Sequence, residues 1–428
     1  MSASIQYFPR RHYPVIVVGG GQAGLSASYL LQQRGIDHLV LEKHQAFHAW
    51  KHQRWDSFCL VTPNWQCRLP DHPYDGDNPH GFMVKDEIIG WMERFRASFE
   101  PPLFEGVTVT RVMALDVGGY RLETDHGPLT ADQVVSAVSS YHLPKIPEYA
   151  ANLPPSIHQL DASAYRNPDA LPDGAVLVVG TGQSGCQIAE DLHLAGRDVH
   201  LAVGPAPRVS RFYRGRDVVD WLDDMGHYRI PVQEHLTEEQ VRAKANHYVT
   251  GRDGGRDIDL RRFALEGMRL HGRLNDIGAG VAYFGDDLKH NLDAADATNA
   301  RIKGSIDEYI AQQGIIAPEE QPYQPVWEPP RAPETCLDLE SANIGTVIWC
   351  IGYAPDFGWI KAPAFDTTGY PKQVRGVTAS PGLFFLGLPW QNTWGSGRIY
   401  AIAEDAGYIV DRIADAAVQL PQCRLAGS

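Results

Sequence analysis

Cysteine pairs are missing from this sequence. Its six cysteines, Cys59, Cys67, Cys186, Cys336, Cys350 and Cys423, never stand as Cys-x-x-Cys. Several lie in apolar segments, where Cys packs as a small hydrophobe. A disulfide framework is therefore not expected, and a reducing compartment fits. An excess of basic charge is also missing: 38 Lys and Arg face 52 Asp and Glu, for a net charge of −14. Nucleic-acid binding needs clustered cations to replace phosphate counterions, so no nucleic-acid partner is expected. No run reaches the roughly 18 apolar residues of a membrane span. The stretch Met1–Pro14 is polar and aromatic, without the apolar core of a signal peptide. The expected setting is soluble and cytoplasmic, with no membrane partner.

What is present is an ordinary globular composition, 43% apolar and 21% charged, in a chain long enough for two or three folding units of about 100–200 residues each. One internal echo organises it. Val15–Val18 runs into Gly19-Gly20-Gly21-Gln22-Ala23-Gly24, and Val176–Val179 runs into Gly180-Thr181-Gly182-Gln183-Ser184-Gly185. The two starts lie 161 residues apart, too far for a solenoid repeat and suited to two copies of one nucleotide-binding unit. Each copy continues alike. A helix is expected over Gln22–Arg34 with a stop at Gly35, then a strand over His38–Leu41. The second copy predicts a helix over Gln183–Leu194, a stop at Gly196 and a strand over Val199–Val203.

A Gly-x-Gly-x-x-Gly run alone is a weak signal, and a Gly-rich turn would produce it. Here each follows a buried-type strand and opens a helix, the context of a dinucleotide fingerprint. Gly19 and Gly180 permit the tight turn, Gly21 and Gly182 let backbone approach a diphosphate, and Gly24 and Gly185 let helix and strand pack. Free N–H groups at the helix start suit an anion. Gln22, Ala23, Gln183 and Ser184 complete the two cradles. The second strand of the first copy ends in Glu42, 18 residues after Gly24 and followed by Lys43. A carboxylate there can accept from a ribose diol. The same offset from Gly185 falls on Val203, followed by Gly204. Nothing there repels a 2′-phosphate, and Arg208, Arg211 and Arg214 follow, with Arg208 and Arg211 the stronger candidates to pair with one. Local acids such as Asp217 and Asp220 are the competing partners. This pattern predicts FAD in the first unit and NADPH, rather than NADH, in the second. Hydride then passes from one cofactor to the other.

Two Pro-rich stretches, Pro144–Pro172 and Pro318–Pro333, are expected to connect domains, or else to be long surface loops. The expected layout is an α/β chain of two Rossmann-like units, the NADPH unit set inside the FAD unit. Residues 1–143 and 356–428 would form the FAD unit. Residues 144–355 would form the NADPH unit, with a helical insertion over about 208–314 that includes Thr237–His247 and Ala300–Gln313. Late strands are expected over Thr346–Ile351 and Leu383–Leu386, with an amphipathic helix over Ile399–Ala416.

With these units in place, the sequence resembles the class B flavin-dependent monooxygenases, the group that holds the flavin-containing monooxygenases and the plant YUCCA-type enzymes. The likeness covers nearly the whole chain and extends to bacterial flavin oxidoreductases of nitrilase gene clusters. Trp50, Arg54 and the run Cys59–Pro70, with Thr62 inside it, look like the YUCCA-type stretch that lies along the flavin in the family. Ala137-Val138-Ser139 resembles the Ala-Thr-Gly linker, with Val and Ser replacing Thr and Gly. Cys350-Ile351-Gly352-Tyr353 resembles the second, Ala-Thr-Gly-Tyr linker. Gly382–Gly387 resembles the last flavin-domain strand, and Asp405-Ala406 the helix after it, which implies flavin-side roles for Gly387 and Asp405. Of the family's Phe-x-Gly-x-x-x-His-x-x-x-Tyr/Phe fingerprint, the matching positions are Pro155, Ile157, Asp161 and Tyr165. Only the aromatic is kept. Val61 stands where flavin-containing monooxygenases place an Asn, as YUCCA-type enzymes also lack it.

The resemblance implies that NADPH reduces the flavin, and that oxygen adds at C4a as a hydroperoxide. One oxygen atom then passes to a nitrogen or sulfur nucleophile of a small molecule. No acid–base triad is expected. The rivals are an NADPH oxidase that releases hydrogen peroxide, a disulfide reductase, which needs a redox cysteine pair that Cys59 and Cys67 do not match in spacing, and a non-catalytic NADP-sensing module. His44, His48 and His52 stand four apart. The interleaved Phe47 and Trp50 favour a polar surface or flavin edge, and no metal site is expected. Trp390 and Trp394, near Asn392, would line a substrate pocket or pack in the core, and Tyr165 would touch NADP or pack. Substrate and oligomeric state are not legible.

Overall fold

In the computed structural model, which describes residues 8–234 and 247–419, each glycine fingerprint sits where a buried strand hands over to a helix. The first strand, His12–Val18, is β-branched and buried at every residue from Val15 to Val18, as a central parallel strand requires. It pairs in parallel with His38–Glu42 on one side and Leu129–Ser136 on the other. The sheet runs Ile360–Lys361, Val109–Ala114, Tyr120–Thr124, Leu129–Ser136, His12–Val18, His38–Glu42, Leu103–Glu105. Leu383–Phe385 adds in parallel to Leu129–Ser136.

A second sheet is parallel throughout: His158–Asp161, Ile344–Trp349, Ala175–Val179, Val199–Ala202, Arg269–His271. The chain therefore leaves the first sheet after Leu129–Ser136, builds the second, and returns with Ile360–Lys361 and Leu383–Phe385. The two crossings run side by side. Tyr353 and Ala354 pair with Pro144 and Leu143, and the Lys145 N–H donates to the Gly352 carbonyl at 2.9 Å.

The helices after the turns are Gln22–Gln33 and Gln183–Leu194, each 12 residues long. Leu25, Ala27 and Leu31 of the first share a buried cluster with Ile409, Val410 and Ile413 of the last helix, Ile402–Gln419. That helix begins three residues later than its apolar pattern predicts, because Ile399–Ala401 are buried outside the helix. The region 208–314 is mixed rather than helical. Arg269–His271 is the edge strand of the second sheet, and Leu274–Gly278, Val281–Phe284 and Cys336–Asp338 form a small antiparallel sheet. The helix expected at Ala300 starts at Leu288 and runs 26 residues to Gln313. Its first half buries Asn291 and Asn299, which bond to the Val203 carbonyl and the Ser210 N–H. Asn291 and Asn299 share the buried face with Leu288, Leu292 and Ala295, which dilutes the apolar period a sequence offers. The expected helix Thr237–His247, apart from its last residue, lies outside the described residues, as does Cys423.

Candidate dinucleotide and flavin site

The two glycine turns repeat one another atom for atom in their duties. Gly19 (φ +113°) packs so closely on the Ala137 carbonyl that a Cβ would lie 2.6 Å from its oxygen. Gly180 (φ +103°) does the same against Cys350, at 2.7 Å. A Cβ on Gly24 would meet the Gly19 carbonyl at 1.9 Å, and one on Gly185 would meet that of Gly180 at 2.0 Å. The middle glycines differ from these. A Cβ on Gly21 or Gly182 would meet nothing within 4 Å. Both are helix N-caps without a side-chain cap, so the first N–H groups of each helix have no capping partner. Close packing behind and open space in front is what a diphosphate cradle requires.

Around the first turn, Glu42 turns both oxygens inward, accepting from the Gly20 N–H at 2.7 Å and the His44 N–H at 2.8 Å. A carboxylate keeps further lone pairs after two such bonds. Lys43 is exposed beside it. The Trp50 indole N–H donates to the Gln22 side chain at 3.0 Å, tying the predicted flavin-side aromatic to the turn. Arg54 lies over the rings of Trp50 and Phe58, at 5.2 and 5.5 Å. Val61 and Thr62 are half-buried on the same stretch. Gly387 (φ +84°) abuts Ala23, where a Cβ would come within 2.8 Å of the Ala23 Cβ. Asp405, in the first turn of the last helix, is buried, and desolvation pushes its carboxyl up to about 6. Its Oδ2 is without a protein partner.

Around the second turn, the Thr181 hydroxyl bonds to Gly204, at 3.0 Å from its N–H and 3.1 Å from its carbonyl. The Gln183 amide bonds to both backbone groups of Val249, and Ser184 is exposed. The arginines expected at a 2′-phosphate are turned elsewhere. Arg208 is buried, ion-paired with Asp296 at 2.6 Å and laid over Tyr323. Arg211 is buried, donating to Asp217 and to the Val61 carbonyl, both at 2.6 Å. Arg214 pairs with Asp307. The pairing has a physical reason: a guanidinium this deep needs a carboxylate, and Asp217 and Asp296 supply it. What the strand end does offer is the absence of an acid at Val203 and Gly204.

Tyr165 is fully buried and donates to Asp191 at 2.7 Å, so it packs. Asp161 accepts from the N–H and hydroxyl of Ser163. The rings of His44 and His48 stack at 4.1 Å, and His48 meets His52 at a tilt, 4.8 Å away. Trp390 is buried, and the ring of Trp394 packs at a tilt on that of Tyr228, 4.4 Å away. Burial pushes the Cys59 thiol up to about 11 and that of Cys67 up to about 12. Three groups escape sequence reasoning: Asp191, Tyr228 and Arg398. Asp191 and Tyr228 meet partners across long sequence separations, and Arg398 lies over the ring of Trp394 four residues before it. The one local signal was the aromatic, glycine-rich run Trp390–Tyr400 that carries Arg398.

Fold and turns together define a two-nucleotide flavoprotein oxidoreductase, and comparison with known proteins agrees. Residues 16–251 match the family model described as pyridine nucleotide-disulphide oxidoreductase. A CzcO-like oxidoreductase of Geobacillus kaustophilus is 29% identical over 405 residues, covering 93% of this chain and 97% of its own. The indole-3-pyruvate monooxygenase YUCCA1 of Oryza sativa subsp. japonica is 30% identical over 315 residues, 70% of this chain and 71% of its own. Among solved structures, a flavin-containing monooxygenase from Stenotrophomonas maltophilia superposes with a TM-score of 0.64 at 17% identity, covering 95% of this chain and all of that one. The chain belongs to the pyridine nucleotide-disulphide oxidoreductase family and, within it, to the class B flavin-dependent monooxygenases. It is an oxidoreductase that uses FAD and NADPH. No described helix is long and apolar enough to cross a membrane.

Proposed function

We propose that the protein is a monooxygenase that transfers one atom of dioxygen to a nitrogen or sulfur nucleophile of a small molecule, with the second atom leaving as water and NADPH supplying both electrons. The observation that carries this reading is the pair of equivalent turns, each packed behind and open in front. The first turn, Gly19–Gly24, holds the FAD diphosphate on its backbone N–H groups, and Glu42 accepts from the ribose. Trp50, Arg54 and Thr62 lie along the flavin, with Gly387 and Asp405 closing its far side. The second turn, Gly180–Gly185, holds the NADPH diphosphate. The strand order supports an NADPH unit set within the FAD unit, joined by the paired segments at 143–144 and 353–354.

When bound, reduced flavin supplies the activation of oxygen. The protein's part is placement and exclusion of water. A disulfide-reductase reading has little support: Cys59 and Cys67 are buried, and a thiol so far above neutral pH forms little thiolate. The oxidase reading is separated by experiment. Purified enzyme is supplied with NADPH, isotopically labelled dioxygen and a panel of amines and thioethers. Label in an organic product, matched to NADPH consumed, is the expected result. NADPH consumption matched wholly by hydrogen peroxide across the panel would establish the oxidase instead. No NADPH consumption in air would establish a sensing module.

A further inference from the structure

A buried guanidinium needs one carboxylate, and Arg211 has Asp217. The fold places the two together. The Arg211 carbonyl accepts from the Val218 N–H at 2.9 Å, across the hairpin of Phe212–Tyr213 and Arg216–Asp217. Asp217 is itself fixed, because it caps the helix Val218–Asp224 by accepting from the Val219 N–H. One arm of the guanidinium, Nη2, donates to Asp217 Oδ1 at 2.6 Å. The other arm, Nη1, donates to the Val61 carbonyl at 2.6 Å, 150 residues away in sequence. Charge balance does not require this second bond.

The guanidinium is sealed in place. It lies over the Phe82 ring at 4.6 Å. Gly255, at φ +94°, closes over it, and a Cβ there would come within 2.9 Å of Arg211 Cδ. Gly251 packs on the same phenylalanine, and a Cβ on it would meet the Leu60 carbonyl at 1.9 Å. The backbone at Leu60 and Val61 is thus pressed against this loop and held by the arginine. The same stretch adjoins the first turn. Leu60 shares a buried cluster with Ala23 and Ala137, and Phe58 meets Trp50, which bonds to Gln22.

The peptide after Val61 therefore has a fixed direction. It is trans, so the Thr62 N–H points opposite to the Val61 carbonyl. With that carbonyl on Arg211, the N–H points away from the arginine. It has no hydrogen-bond partner among the described residues. Val61 and Thr62 both keep accessible surface. A cation on the carbonyl also polarises the peptide, which strengthens its N–H as a donor.

We propose that Arg211 is a positioning residue for the flavin: by holding the Val61 carbonyl, it presents a strengthened Thr62 N–H to the flavin ring and so favours reduction. Reduction adds negative charge to the ring system, and a fixed donor stabilises that charge more than the oxidised form. An arginine beyond the second turn thereby tunes the cofactor on the first. This rests on the reading that Thr62 lies along the flavin.

The test is the two-electron potential of the bound flavin, measured on the holoenzyme without oxygen or substrate. Arg211→Met should shift the reduction equilibrium about tenfold toward oxidised flavin, the worth of one charge-assisted hydrogen bond. For a two-electron couple that is a fall of about 30 mV. Arg211→Lys should restore part of it. Thr62→Pro, which removes the N–H itself, should lower the potential as far, and the double variant no further. Ser57→Ala is the comparison: it deletes another 2.6 Å bond, to Asp191, and should leave the potential unchanged. If Arg211→Met does not fold with Asp217 unpaired, Arg211→Met combined with Asp217→Asn decides. A parental potential in the arginine variant, or an equal fall in Ser57→Ala, overturns the proposal and leaves Arg211 a tie between segments. Falls that add in the double variant overturn it too, because Arg211 would then act by its charge and not through Thr62. A fall in Arg211→Met with none in Thr62→Pro would place Thr62 off the flavin and remove the proposal with that reading. Since no turnover is needed, failure of the oxygenation reading shows separately, as absence of labelled product.

Discussion

At the scale of single residues, the strongest constraints fall on glycines without room for a methyl group. Gly24→Ala places a Cβ 1.9 Å from the Gly19 carbonyl, and Gly185→Ala places one 2.0 Å from that of Gly180. Backbone cannot yield as a flexible side chain does, so each change must push its helix away from its strand, at a cost of about 1–3 kcal/mol or more. The two variants should differ in what they lose. Gly24→Ala should purify with little flavin, whereas Gly185→Ala should stay yellow and lose NADPH affinity. Flavin content and NADPH titration check this, and identical losses would undo the assignment of one cofactor to each turn. Asp405 gives a second residue-level test. Its carboxyl titrates near 6 in the folded protein against an ordinary value near 3.8. The folded state therefore binds the proton more tightly. This group's contribution to stability is largest below pH 4 and is lost as pH rises through 6. Asp405→Asn removes that loss. Its Tm relative to the parent, both without flavin, should be least favourable near pH 4 and should climb to a plateau above pH 6. A flat difference across that range would refute a desolvated carboxyl at this position.

Among elements, one carboxylate ties helix Gln183–Leu194 to three other segments. Asp191 accepts from the Ser57 hydroxyl at 2.6 Å, the Tyr165 hydroxyl at 2.7 Å and the Arg252 guanidinium at 2.7 Å. Three separate segments meet there, and none of these contacts leaves a local sequence signal. The elements themselves were legible where period and punctuation agree, as in the strand, turn and helix of each fingerprint. They were not legible where tertiary contacts decide. Arg269–His271 is a strand because it adds to Val199–Ala202, and the first half of Leu288–Gln313 mixes Asn291 and Asn299 into its buried face. The arginines after Val203 show the same limit within the site. Their charge was visible in sequence, but Asp296, which holds Arg208, lies 88 residues away. Tyr165→Phe tests the Asp191 junction directly. A hydrogen bond to a buried charged acceptor is worth about 1.5–3 kcal/mol. The variant should melt several degrees lower at about 2–4 °C per kcal/mol and keep its flavin. An unchanged Tm would show that Asp191 is held by its other two partners alone.

For the whole molecule, the question is how one nucleotide reaches the other. The chain passes between its two sheets only twice among the described residues, near 137–157 and near 350–360, and the crossings are joined by the short ladder of Leu143 and Pro144 with Tyr353 and Ala354. Both crossings also back a glycine turn, since Ala137 supports Gly19 and Cys350 supports Gly180. A shift at the ladder would therefore be felt at both cradles. Gly352 is the pivot of the returning segment, at φ +90° with open space where a Cβ would point. Its carbonyl accepts from Lys145, so the two crossings are tied at that residue. Gly352→Val changes no contact but forces a β-branched residue into a conformation that costs of order 1–3 kcal/mol. The strain lies outside both turns, so FAD content and NADPH affinity should hold. If hydride transfer needs the two units to adjust about this ladder, about 1.4 kcal/mol of that strain falling on the transition state slows flavin reduction about tenfold. Rapid-mixing reduction of the flavin by saturating NADPH reads this rate directly. A variant that keeps both cofactors and reduces its flavin at the parent's rate would mean that the two cradles already stand in hydride range, with the ladder only a tether.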